Sequence, residues 1–121
     1  MSVKNYQELI VWQKSMDLVE QIYKLVKYLP KEETYALSDQ MRRAAVSIPS
    51  NIAEGQSRNS TKEFVNFLSI ARGSNSELTT QLMICVRLKY LTQFQVEPVL
   101  NLSDEVGRML TGLIGKLSTT H

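Results

Sequence analysis

Histidine, cysteine, proline and glycine are scarce in this chain, and each scarcity removes a class of structure or chemistry. The one histidine is His121, so the Glu-x-x-His pairs with which helical bundles hold metal ions cannot be assembled. No metal and no other cofactor is expected. The same scarcity leaves no base for a serine or cysteine nucleophile, and neither a glycine-rich phosphate loop nor a nucleophile elbow is present. The one cysteine, Cys85, has no partner for an internal disulfide; set in an apolar helical pattern, it reads as a small buried hydrophobe. Carboxylate pairs such as Glu32 and Glu33, or Asp104 and Glu105, fall where helices start and favour the helix dipole there. The chain is therefore read as noncatalytic.

Five glycines and three prolines, scattered through 121 residues, leave no linker or low-complexity segment, and one domain over residues 1–121 is expected. Long apolar runs are also missing. None approaches the ~18 residues that span a bilayer, and "MSVKNYQELIVWQKSM" has no apolar core followed by a cleavage site, so no membrane association and a cytoplasmic location are expected.

What the sequence does have is helical periodicity. Leu9, Trp12, Met16, Val19, Tyr23 and Val26 recur in steps of three and four, and a second stripe of Val11, Ser15, Leu18, Ile22, Leu25 and Leu29 runs beside it. So wide an apolar arc predicts a first helix that touches more than one neighbour, ending before Pro30. A second helix starts between Glu32 and Ser38, carries Leu37, Met41, Ala44, Ile48 and Ile52, and stops near Gly55. The third takes Ser60 or Thr61 as N-cap, with Glu63 at capping-box spacing, and reads Phe64, Leu68, Ala71, Asn75, Leu78, Leu82 and Cys85 to about Leu91. The fourth runs from the mid-nineties to Leu117 through Val99, Leu102, Val106, Leu110 and Leu113, with Pro98 acceptable only in its first turn. Four amphipathic helices with short connections predict an all-α, antiparallel up-down-up-down four-helix bundle.

Pro49 lies inside the second helix, where a proline typically costs about 3 kcal/mol because it lacks an N–H and its ring meets the carbonyl four residues back. A kink there is expected, with Ser47 or Ser50 able to bond freed backbone groups.

A polar stripe on the second helix, Gln40, Arg43, Ser47, Asn51 and Glu54, is made mostly of short amides and hydroxyls, and Ala44, Ala45, Ala53 and Gly55 allow another backbone to approach. The third helix has a matching row in which Ser74, Glu77 and Gln81 are bracketed by Phe67, Ile70, Ile84 and Leu88. Two readings stand: a solvated face, or a covered network in which Glu77 meets Arg43 or Arg72.

The stretches "RRAAVSIPSNIAEG" and "ARGSNSEL", within a likeness running from "LIVWQKSMDL" through "QLMICVRLKYL" and weakest after Leu91, resemble the proteins encoded by intervening sequences in bacterial 23S ribosomal RNA genes. That family also takes in the accessory variability determinant of diversity-generating retroelements. The resemblance implies a cyclic homo-oligomer, a pentamer, and makes the bend at Pro49 a feature of the family pattern. Through the accessory determinant it implies binding to RNA or DNA and association with a reverse transcriptase; the alternative is a protein-interaction scaffold. Net charge of +2 is too mild to announce phosphate binding from composition. Candidate contacts are Lys24, Lys27 and Lys31 at the end of the first helix, with Arg42, Arg43, Arg58, Lys62, Arg87 and Lys89 near helix ends. A ring of copies would multiply a modest patch.

Overall fold

The computed structural model describes residues 5–119, so His121 lies outside the described residues. Four helices make up most of it: α1 (Ile10–Leu25), α2 (Leu37–Gln56), α3 (Thr61–Arg87) and α4 (Gln93–Ser118). The starts of α3 and α4 have local causes. Ser60 caps α3, its Oγ accepting the Glu63 N–H at 3.1 Å. At α4, Thr92 and Gln95 close a full capping box: Thr92 Oγ1 accepts from the Gln95 N–H, and the Thr92 N–H donates to Gln95 Oε1 at 2.9 Å.

That box starts α4 early enough to put Pro98 at its sixth position, past the first turn to which the sequence reading confined it. The missing N–H there falls at an exposed position. α3 stops at Arg87, short of Leu91, because Lys89 turns left-handed at φ 64°. The Tyr90 N–H then donates to the Cys85 carbonyl and the Lys89 N–H to that of Val86, a Schellman closure with lysine where glycine is usual.

The helices touch in a ring: α1 with α2 and α4, α2 with α3, and α3 with α4. Pairings between α2 and α3 run in opposite sequence order. Met41 meets Cys85, Ser47 meets Ser74, and Gly55 meets Phe64 and Phe67. Between α3 and α4, Arg72 meets Thr111 while Asn75 meets Ser103. The core is filled by Leu18 and Ile22 from α1, Met41, Ile48 and Ile52 from α2, Leu68, Leu78 and Leu82 from α3, and Val96, Val106 and Leu110 from α4, all fully buried. Of the two stripes on α1, the one through Leu18 and Ile22 faces this core. The other divides: Trp12 and Val19 are half-buried, while Met16 and Tyr23 stay exposed.

Gly55 is not the terminator of α2. It is helical and buried, and it serves the close approach of α3 instead. The helical pattern continues through Pro49, whose buried ring lies beside Trp12, Met16 and Val19 of α1. Ser47 does not serve backbone freed by that proline, since its hydroxyl crosses to Ser74. Pro49→Ala restores a donor to the Ala45 carbonyl and about 3 kcal/mol of helix propensity, against about 1–2 kcal/mol of ring packing. Urea denaturation is expected to show a gain of about 1–2 kcal/mol. A loss would mean that the ring's contacts with α1 outweigh the helix term.

Candidate functional site

The basic residues divide into separate groups. The spacing of Lys24, Lys27 and Lys31 places them together at the end of the first helix, but α1 ends at Leu25 and Val26–Tyr28 tightens into a 3-10 turn, so the three do not share a face. Lys27 and Lys31 line a depression with Tyr23, Val26, Thr34 and Arg42. Lys24 instead faces the α1–α4 groove beside Asp17, Glu20 and Glu105. Arg42 is held in place, its Nη2 donating to the Thr34 carbonyl at 3.1 Å. Arg43 lines the adjoining depression beside Tyr23 and Val46, and its Nε pairs with Asp39 at 2.9 Å. Lys27 and Lys31 have no ion-pair partner among the described residues, so their charge is available to a ligand.

Arg58 and Lys62 lie at the α2–α3 turn, and both are exposed. Arg58 is engaged: it pairs with Glu54 at 2.8 Å and stacks over Phe67 at 4.9 Å. Arg87 and Lys89 are exposed at the α3–α4 turn. This turn is tied to the segment before α2 by one carboxylate: Glu33 Oε2 accepts from the Tyr90 hydroxyl at 2.9 Å, and its Oε1 accepts from the Leu37 N–H.

The proposed polar network shrinks to its middle. Ser47 and Ser74 hydroxyls bond at 2.8 Å across α2 and α3, and Asn51 Nδ2 donates to the Ser47 carbonyl and hydroxyl. Its ends do not join. Arg43 is largely exposed and paired with Asp39, Glu54 is taken by Arg58, and Gln40 is exposed. Glu77 is exposed too; it accepts from Gln81 Nε2 and meets neither Arg43 nor Arg72. Partners four residues away on the same helix satisfy these charges at lower entropic cost than a reach between helices.

A second polar cluster escaped the sequence reading. Asn75, on the buried stripe of α3, donates from Nδ2 to the Ser103 carbonyl at 2.9 Å and accepts the Ser103 hydroxyl on Oδ1 at 2.9 Å. Thr79 Oγ1 lies 2.8 Å from Ser103 Oγ and donates to the Asn75 carbonyl. The signal was available: an amide in one apolar row and a serine in another must find each other.

Cys85 is fully buried with its Sγ 3.6 Å from Met41 Sδ. Burial, with a smaller push from the Glu33 carboxylate, raises the thiol from 9.0 to about 11. The hydrogen bond to Glu33, then burial, also raises the Tyr90 hydroxyl. In both cases the folded state holds a proton that the unfolded chain gives up sooner. The Cys85 contribution is complete below pH 9.0 and is lost as pH rises toward about 11. Comparing the chain with Cys85→Ala in urea at pH 8 and pH 10.5 should show about 1–2 kcal/mol less alkaline loss in the variant. Equal losses would remove the thiol from the alkaline response.

Among the described residues no group of three or more His, Cys, Asp or Glu could hold a metal ion, and no helix is long and apolar enough to cross a membrane. Residues 7–112 match the family described as 23S rRNA-intervening sequence proteins. The chain belongs to that family. The match continues past Leu91 and takes in all of α1, α2 and α3 and most of α4. A solved structure has the same fold: a protein with unknown function from the S23 ribosomal protein family of Bacteroides thetaiotaomicron VPI-5482. It is 32% identical, with a TM-score of 0.81, over 87% of this chain and 98% of that chain. No curated protein matches this member of the intervening-sequence family.

Proposed function

We propose that this intervening-sequence family member is a noncatalytic, cytoplasmic nucleic-acid-binding protein that works as a cyclic homo-oligomer, a pentamer. The observation that supports binding is the depression around Tyr23, where Lys27 and Lys31 stand without carboxylate partners and Arg42 is held in position by the Thr34 carbonyl. Cations fixed on a scaffold suit phosphates. They position a strand without reading its bases, so affinity is expected to be nearly independent of sequence and to fall steeply with salt, by roughly 0.7–0.9 in log–log slope per phosphate contacted. Repetition around a ring adds such contacts.

The test is a salt series with labelled RNA and DNA, using the chain and its Lys27→Gln, Lys31→Gln double variant, with Lys24→Gln as the control from a different face. The double variant should bind more weakly with a shallower slope, and the control should bind like the parent. Equal affinity in all three would remove this patch.

A second reading, a scaffold for proteins such as a reverse transcriptase, has its own support: Ile70, Met83, Ile84 and Leu88 are exposed along α3. Light scattering bears on both readings, since a monodisperse monomer at micromolar concentration would sink the ring. Undetectable binding to any RNA or DNA at low salt would favour the scaffold.

A further inference from the structure

The groove between α3 and α4 lies apart from the cations around Tyr23. It measures about 780 Å³ and is lined by Arg72, Ser76, Thr79, Thr80, Arg108 and Thr111, above a floor formed by Asn75 and Ser103. Much of the "ARGSNSEL" stretch feeds it: Arg72, Asn75 and Ser76 face this groove, whereas Ser74 turns to α2.

Three observations give it the character of a site. Arg72 is half-buried and stretched across to α4, where its Nη1 meets Thr111 Oγ1 at a long 3.4 Å, and it has no ion-pair partner among the described residues. The one carboxylate among the described lining residues, Asp104, is already taken by Arg108 at 3.0 Å, so that lining carries a net positive charge. The floor is rigid, because Asn75, Thr79 and Ser103 bond to one another, and the wall is left open at Gly112, where an added Cβ would meet nothing within 4 Å.

The geometry points to this groove as the seat of a single-stranded nucleic-acid segment, with the Arg72 guanidinium on a backbone phosphate and the threonine and serine hydroxyls on phosphate and sugar oxygens. This rests on the nucleic-acid reading above and gives it a second surface. From Leu100 to Gly112 the groove is about 18 Å long at 1.5 Å per helical residue, which accommodates roughly five nucleotides of stacked strand at about 3.4 Å each. Guanidinium recognises phosphate by a fork of donors, and hydroxyls are common backbone contacts. Among the described residues no aromatic ring lines the groove, so no side chain stacks on the bases, and the contacts fall on phosphate and sugar oxygens, which carry no sequence information.

The test is fluorescence anisotropy with fluorescein-labelled hexaadenylate at low salt. Arg72→Gln should weaken binding at least tenfold. Gly112→Leu should do the same by filling the groove while raising the unfolding midpoint, since leucine is the better helix former and the space is open. Gly73→Leu, exposed on α3 outside the groove lining, should raise the midpoint equally and leave affinity unchanged. Parent-like affinity in a folded Gly112→Leu overturns the groove. So does a change of oligomer size in that variant, which would make the groove a contact between copies. If the parent binds and only Lys27 and Lys31 matter, the groove falls and the nucleic-acid reading stands. If the parent binds no strand at all, both fall.

Discussion

Asn75→Ala is expected to be among the most damaging single polar changes in this protein, lowering unfolding free energy by about 2–4 kcal/mol. Asn75 is 6% exposed, and its amide both donates to the Ser103 carbonyl and accepts the Ser103 hydroxyl. Alanine removes both bonds at about 1 kcal/mol each, strips a buried hydroxyl of its acceptor, and opens a small cavity. The Ser103 hydroxyl can then turn its proton to Thr79 Oγ1, 2.8 Å away, which caps the loss. Asn75→Asp, nearly the same size, should also be poorly tolerated, because it replaces the donor facing the Ser103 carbonyl with a carboxylate oxygen. Urea denaturation gives the number, and a double-mutant cycle with Ser103→Ala gives the coupling. Coupling near zero would mean that the pair does not act as a unit.

The second large effect is a contrast between glycines. A Cβ at Gly55 would lie 2.6 Å from Phe67 Cβ and 3.3 Å from the Phe64 carbonyl oxygen, atoms that move only if α3 moves. Crowding of that kind costs about 1–3 kcal/mol for small additions, and the helix preference for alanine returns about 1. Gly55→Ala should therefore destabilise by up to about 2 kcal/mol and Gly55→Leu by about 3 or more. Gly112→Ala, made in open space, should stabilise by about 1 kcal/mol. Thermal or urea unfolding of the pair decides: matching signs would mean that α2 and α3 have slack at their closest point.

The helices were legible because their apolar steps of three and four, and the Ser60 cap, are local signals. The small residues of α2 were legible in the same way: Ala44, Ala45 and Gly55 are buried, and Ala53 is half-buried. Less was legible where satisfaction of a polar group depends on a choice of partner. Glu77 sat between apolar residues in its row, yet that row lies largely outside the core, and exposure removed any need for a cation. Arg43 had Asp39 one turn away, a nearer solution than any residue of α3. Pro98 falls past the first turn of α4 because the Thr92-x-x-Gln95 capping box, a signal as local as the one at Ser60, starts that helix at Gln93. The divided lysines show the limit of spacing rules: they hold only while the helix does, and here it tightens at Val26.

The ring of helix contacts bears on how fast the protein reaches its fold. Three of its four seams join helices consecutive in the chain, two through the short turns 57–60 and 88–92 and one through the longer segment 26–36, so most native pairings involve modest sequence separation, the topology associated with folding in microseconds to milliseconds. Only the seam between α1 and α4, joined by Lys14 and Glu105 at 3.1 Å, must close a loop spanning most of the chain. Since closure entropy grows only with the logarithm of loop length, that seam can form late at little kinetic cost, once α2 and α3 have supplied the surface on which both ends dock.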